Sequence, residues 1–129
     1  RAWFNEGLGS LYEQSSSRDG KIIGLTNWRL AGLQEALRAG PIPTFRQLTH
    51  TSDDDFYEAD PGTHYGQARY LCYYLQEHGL LETFYREYRR TQQKDPTGYR
   101  ALQKVLGNPD MADFEAKWRT WVLGLRFGG

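Results

Sequence analysis

Three histidines are the first candidates for metal binding or acid–base chemistry. His50, His64 and His78 are each 14 residues apart, so no pair has the separation of three or four residues that places two ligands on one helical face. A zinc site made by this chain alone is therefore not expected. We expect His50 and His78 to be ordinary surface or loop side chains, and we leave the role of His64 open because it neighbours Tyr65.

Nucleophilic catalysis and calcium binding are also disfavoured by the sequence. Cys72 lies on the apolar face of a predicted helix, which is typical of a small buried side chain rather than a reactive thiolate. The serines at 15–17 lack the strand–turn–helix setting of a nucleophile elbow. Three consecutive aspartates at 53–55 lack the alternation and the glycine of a calcium loop. We interpret them as the start of a solvated helix.

The first helical segment carries the most specific motif of the chain. Residues 3–13 read WFNEGLGSLYE, with Asn-Glu-Gly at positions 5–7. This segment resembles the helix that carries the third zinc ligand in gluzincin metallopeptidases of the aminopeptidase N type. The resemblance implies that Glu6 is a zinc ligand, since a carboxylate on a rigid helix can complete a His₂Glu site and leave the fourth position open for water. The alternative is a solvent-facing helical glutamate.

A second motif is similar to the helix that supplies the transition-state tyrosine of the same enzymes. Residues 65–75 read YGQARYLCYYL, and Tyr65 follows Glu6 by 59 residues. The resemblance implies that the Tyr65 phenol donates a hydrogen bond to the oxyanion, a role worth about 3 kcal/mol of barrier for comparable donors. A packing role for Tyr65 is an equal alternative, and Tyr70 is a second candidate for the catalytic tyrosine.

The rest of the chain resembles bacterial peptidase-MA-like proteins. A Trp-x-x-Glu-Gly helix, a later Tyr-x-Gln-Ala helix and a closing helix with Trp-x-x-Trp all recur in that group, and this sequence has each of them. The gluzincin pattern also needs His-Glu-x-x-His before the ligand glutamate, and these 129 residues do not contain it. The resemblance therefore implies a fragment of a longer chain, with zinc as the cofactor of the full-length protein and no cofactor expected for the fragment.

The elements that would position Glu6 and Tyr65 are helices. Leu outnumbers Ile and Val together by 15 to 5, which favours helix over strand. Apolar periodicity predicts helices over about 2–14, from 27 to 40 and from 61 to 78, then two helices after Gly79 and a closing helix behind Asp110. Residues 15–20 are expected to form a polar loop, and 21–25 a short extended piece. We predict one all-α (sub)domain over 1–129, an irregular multi-helix bundle.

Charge and hydropathy limit the partners of the chain. Lys plus Arg equals Asp plus Glu at 16 each, so no net field attracts nucleic acid, and no apolar run approaches the length of a membrane span. A peptide substrate is the partner that the resemblance implies. If the chain is a severed half-domain, the Trp3, Phe4 and Leu8 side of the first helix should form an exposed apolar face that favours a dimer.

Two other functions remain open at this stage. A helical protein-interaction module would fit the 19 aromatic residues, although no repeat of about 34 residues is present. A degenerate pseudopeptidase would keep the shape of the enzyme and lack the metal. Because the histidines of the motif lie outside these residues, the fragment alone is predicted to be inactive.

Overall fold

A computed structural model of the chain describes residues 1–127, apart from the side chain of Pro61. Helices make up 63% of the chain, and the only sheet in the described part has two strands. The predicted all-α class is therefore confirmed. The elements are α1 (Ala2–Leu11), β1 (Ser15–Arg18), β2 (Lys21–Gly24), α2 (Arg29–Ala39), α3 (Phe45–His50), α4 (Asp53–Glu58), α5 (Pro61–Glu77), α6 (Leu81–Thr91), α7 (Tyr99–Val105) and α8 (Met111–Leu123).

Helix α5 is the centre of the bundle, and α1 lies directly against it. A Cβ built on Gly7 would lie 2.8 Å from the backbone oxygen of Ala68 and 3.1 Å from the Cys72 sulfur, so only glycine permits this helix spacing. Helices α2 and α4 also contact α5. The residue next to Glu6 is therefore fixed by the packing of two helices, and Glu6 is held on a rigid element.

The start of α1 is stabilised by a residue far along the chain. The sequence provides no capping side chain before Ala2, but Asp53 at the start of α4 accepts a hydrogen bond from the Ala2 backbone N–H at 3.0 Å. A carboxylate at this end also complements the positive end of the helix dipole. This contact links α1 to α4, the two helices that meet at the site described below.

The apolar face that was expected to be exposed on α1 is largely covered. Trp3 is 1% and Phe4 is 3% exposed, because both rings pack against Phe84 of α6, with ring centroids 5.8 and 5.2 Å away. The Trp3 indole N–H also donates to the Thr97 carbonyl at 2.8 Å. The expectation that Trp3 and Phe4 lie on an exposed apolar face is therefore wrong, since α6 and the segment before α7 cover these two residues. Leu8, the third residue of the expected face, is partly exposed.

The predicted polar loop at 15–20 is instead one strand and the turn of a β-hairpin. Ser15 pairs with Gly24 and Arg18 with Lys21, with Asp19 and Gly20 between them at φ of 52° and 76°. Two consecutive residues with positive φ form the turn that matches the twist of a two-residue hairpin, and Asp-Gly is a preferred sequence for it. The serines of β1 lack apolar alternation, which is why periodicity predicted no strand there.

The longest helix begins at residue 61, as predicted. Asp60 adopts a left-handed conformation with φ of 51° and forms no side-chain capping bond, whereas Asp110 caps α8 by accepting from two backbone N–H groups. The left-handed residue turns the chain sharply between α4 and α5. No helix of the described residues is long and apolar enough to cross a membrane.

Candidate functional site

Glu6 lies near the middle of α1 and meets a tyrosine from another helix. Its carboxylate oxygen Oε1 accepts a hydrogen bond from the Tyr57 hydroxyl of α4 at 2.8 Å. Glu6 is half-buried, and no ion pair found among residues 1–127 includes it. The carboxylate is therefore held by a phenol and not by an ion pair, at a place that solvent still reaches.

Tyr65 lies close to Glu6. The rings of Tyr57 and Tyr65 are 6.3 Å apart between centroids, and Phe56 packs against the Tyr65 ring at 5.3 Å. Burial raises the pKa of Tyr65 above its usual value of 10.0, and the charge and hydrogen-bonding capacity of Glu6 raise it further. Tyr65 is thus a protonated donor at neutral pH, beside a carboxylate.

The contribution of Tyr57 was not predicted from the sequence. The hydrogen bond to Glu6 is the main cause that raises the pKa of Tyr57 to about 12. Helix α4 has only six residues, and the left-handed Asp60 sets its direction relative to α5. Because a single tyrosine on such a short helix has no periodic signal, only the Ser52 cap, which accepts from the Asp55 N–H, marked the start of this element in the sequence.

An arginine of α2 also contacts the Tyr65 ring. The guanidinium carbon of Arg29, the first residue of α2, lies 5.0 Å from the centre of the Tyr65 ring and 4.3 Å from that of Trp28. Glu13, just after α1, is 3.8 Å from the same guanidinium. The site therefore combines a carboxylate, two phenols and a cation contributed by α1, α4, α5 and α2.

The other candidates of the sequence lie elsewhere and are structural. Tyr70 is fully buried, and its hydroxyl accepts a hydrogen bond from the Asn27 backbone N–H at 2.9 Å, so it is not available to a substrate. Cys72 is fully buried as predicted, and burial raises the pKa of its thiol to about 12. Neither residue can supply a reactive group at the Glu6 site.

The histidines do not gather around Glu6. His50 and His78 are exposed, as expected, and the ring nitrogen Nδ1 of each bonds to a backbone oxygen of its own helix region. His64 is buried, stacks on Phe56 and places its Nδ1 3.1 Å from the Phe56 carbonyl oxygen. Within the described residues no group of three or more His, Cys, Asp or Glu side chains could hold a metal ion.

Comparison with known proteins adds nothing to this geometry, since no protein family, no curated protein and no solved structure matches the chain. The chemistry of the site rests on its own side chains. A carboxylate without an ion-pair partner among the described residues can serve as a metal ligand. The Tyr65 phenol can donate a hydrogen bond to an oxygen that gains negative charge, whereas the Tyr57 hydroxyl already donates its proton to Glu6.

Proposed function

We propose that this chain is the C-terminal helical portion of a zinc-dependent peptidase domain and is inactive in isolation. In this proposal Glu6 is the third zinc ligand and Tyr65 is the transition-state tyrosine. One observation carries it: the Glu6 carboxylate is free of any ion pair in the described part of the chain and lies beside the protonated Tyr57 and Tyr65. The hydrogen bond from Tyr57 and the nearby Tyr65 phenol distinguish Glu6 from a glutamate that contacts only solvent.

The residues present fit one position of a zinc site. A His₂Glu site takes one carboxylate oxygen, and Glu6 offers Oε2 in addition to the Oε1 atom bound by Tyr57. Two imidazoles and the general base would be supplied by residues outside this sequence. When bound, zinc would supply an activated water and a Lewis acid for a peptide carbonyl.

The two tyrosines divide the remaining tasks. Tyr57 holds the Glu6 carboxylate in one orientation through its 2.8 Å hydrogen bond, as partners behind metal ligands commonly do. Tyr65 keeps its proton at neutral pH and can donate it in a hydrogen bond to the carbonyl oxygen of the substrate as negative charge develops there. The partner is therefore a peptide substrate, and the balanced charge of the chain gives no reason to expect nucleic acid.

A helical interaction module is the second candidate, and one surface favours it. An open groove of about 580 Å³ runs between α1, β2 and α6, and its lining includes Leu8, Ile22 and Tyr85. Ile22 is 71% exposed and Tyr85 is 41% exposed. A dimer through an exposed apolar face would use this groove, whose lining includes Phe4 and Leu8 but not Trp3.

Zinc binding tests the proposal at Glu6. For these 129 residues alone we expect no tight binding, because one carboxylate is a poor site for zinc by itself. In a longer chain that supplies His-Glu-x-x-His, Glu6→Gln should lower zinc affinity at least tenfold and abolish peptide hydrolysis. Isothermal titration with zinc and a peptidase assay measure both effects.

A glutamate on a neighbouring helix provides the control. Glu58→Gln on α4 changes the same charge at an exposed position and should leave zinc affinity and hydrolysis unchanged. Tight stoichiometric zinc binding by the 129 residues alone would contradict the proposal, as would unchanged affinity in Glu6→Gln. A longer chain without His-Glu-x-x-His would instead favour the pseudopeptidase or the interaction module.

A further inference from the structure

Arg29 is packed between two aromatic rings at the edge of the Glu6 site. Its guanidinium carbon lies 4.3 Å from the centre of the Trp28 ring and 5.0 Å from that of the Tyr65 ring. The side chain is only 21% exposed. Contacts of this kind satisfy the face of a guanidinium, whereas its N–H groups, which lie in the plane at its edge, still need acceptors.

Those N–H groups have no acceptor in the described part of the chain. The oxygen of Glu13 is 3.8 Å from the guanidinium, beyond hydrogen-bond distance, and the Nε atom is buried without a partner. The one other arginine of the described residues that is not exposed, Arg69, also has a buried Nε without a partner, but its two terminal nitrogens donate to the backbone oxygens of Ser10 and Leu25. Among the described arginines that are not exposed, Arg29 is therefore the one whose guanidinium forms no hydrogen bond, and such a group needs a physical explanation.

A pocket lies beside this arginine. It holds about 380 Å³, and its lining includes Trp28, Arg29, Asp60 and the two glycines Gly32 and Gly62. A Cβ built on either glycine would meet nothing within 4 Å, so neither glycine is required by close packing and both leave the pocket open. The space is sufficient for one small side chain or for the end of a peptide.

We propose that this pocket is a substrate subsite in which Arg29 binds a peptide carboxylate. A carboxylate matches the planar edge of a guanidinium through two parallel hydrogen bonds. It is favoured over a phosphate because Asp60 in the same lining would repel a dianion and Arg29 is the only cation among the described residues of that lining. Because Arg29 contacts the Tyr65 ring, the subsite would lie next to the scissile bond. This placement rests on the proposed function.

Peptide binding by the 129-residue chain tests the inference without any metal. The probes are three blocked peptides: acetyl-Ala-Ala-Glu-amide with a side-chain carboxylate, acetyl-Ala-Ala-Gln with a terminal carboxylate, and acetyl-Ala-Ala-Gln-amide with neither. We expect at least one carboxylate peptide to shift the Trp28 indole signal in NMR titrations and to bind about tenfold more tightly than the neutral peptide. The comparison of the first two identifies the source of the carboxylate.

Variants of two arginines on α2 distinguish hydrogen bonding by the edge of the Arg29 guanidinium from a general effect of positive charge. Arg29→Gln should lose the tenfold preference, and Arg29→Lys should lose most of it because an ammonium cannot form the paired hydrogen bonds. Arg38→Gln, at the exposed far end of α2, should keep it. Circular dichroism confirms that each variant is folded.

Three results would overturn the inference: equal binding of the neutral peptide, unchanged affinity in Arg29→Gln, or inorganic phosphate binding more tightly than either carboxylate peptide. The inference would also be overturned if none of the peptides bound at concentrations up to about 10 mM, ten times the millimolar Kd typical of such short ligands. These failures are distinct from a failure of the proposed function, because no zinc, no histidine and no hydrolysis enter the measurement.

Discussion

Gly7 shows how a single residue next to the candidate ligand controls the position of two helices. A Cβ at this position would contact the Ala68 backbone oxygen at 2.8 Å, and backbone cannot move aside as a flexible side chain can. We expect Gly7→Ala to lower the free energy of unfolding by about 1–3 kcal/mol, the usual cost of overpacking a core. Urea denaturation followed by circular dichroism measures the change.

Gly9, on the opposite side of the same helix, is the matched control. It is exposed, and a Cβ there would meet nothing within 4 Å. Because alanine is the better helix former by up to about 1 kcal/mol, Gly9→Ala should be slightly more stable than the native chain. Equal stability of the two variants would show that α1 and α5 are not held at this distance.

Single residues also show the limits of the sequence as a guide to the site. The sequence assigned Glu6 and Tyr65 to one site because both lie in motifs that resemble segments of the same enzymes. The structure places the two side chains close together. Tyr57 could not be predicted, since its contact with Glu6 depends on the left-handed backbone of Asp60 and on the direction of a six-residue helix. Such geometry leaves no periodic pattern in the sequence.

At the scale of elements, the hairpin depends on one side chain of α5. The Gln76 amide accepts from the Gly24 N–H and donates to the Gly24 carbonyl, both at 2.8 Å, and so acts as a further strand residue at this edge. Gln76→Ala would leave both buried groups without partners, and we expect a loss of about 1–3 kcal/mol. Faster hydrogen exchange at the Gly24 amide is the direct readout.

An exposed glutamine separates this effect from a general cost of truncation. Gln93, in the turn after α6, is exposed, and Gln93→Ala should leave exchange at Gly24 unchanged. Unchanged Gly24 exchange in Gln76→Ala would show that the hairpin is anchored by other contacts. The Asp19-Gly20 pair is typical of a hairpin turn. The three serines before it show no alternation of apolar and polar residues, so the sequence predicted a loop there.

A pH-dependent contact joins α6 to α7. Glu87 bonds to Arg90 on its own helix at 2.8 Å and to Lys104 of α7 at 3.1 Å, and these two bonds lower its pKa from 4.5 to about 2. Since the folded pKa lies below the unfolded one, the stabilisation is complete above pH 4.5 and is lost as pH falls towards 2. The melting temperature of Glu87→Gln should therefore depend less on pH between pH 5 and 2 than that of the native chain, and thermal unfolding at each pH measures this.

A second glutamate of α6 tests whether this pH dependence belongs to Glu87. Glu82 is 74% exposed and lies 3.9 Å from Arg86, so Glu82→Gln removes a carboxylate without touching α7. The loss of thermal stability below pH 4.5 should persist in this variant. If Glu87→Gln kept the full pH dependence, the bond to Lys104 would not contribute to stability.

For the whole molecule, the helical class followed from properties that do not depend on contacts. Leucine content and the spacing of apolar residues predicted the helices, and Phe114 and Trp118 lie buried on α8 as that spacing requires. What covers each helix was not predictable in the same way. The burial of Trp3 depends on Phe84, 81 positions later in the sequence, and no local pattern links the two.

The core forms one continuous cluster, and this arrangement predicts a single unfolding transition. Trp3 packs on α6, while Trp118 packs on Phe45 and donates its indole N–H to the Tyr70 carbonyl of α5. Because both sides of the bundle depend on α5, the indole signals of Trp3 and Trp118 in NMR should disappear at the same urea concentration. The signal of Trp28, which is 63% exposed, should change little in its environment and serves as the reference. Two separate midpoints for Trp3 and Trp118 would show that α1 with α6 and α3 with α8 unfold as independent units.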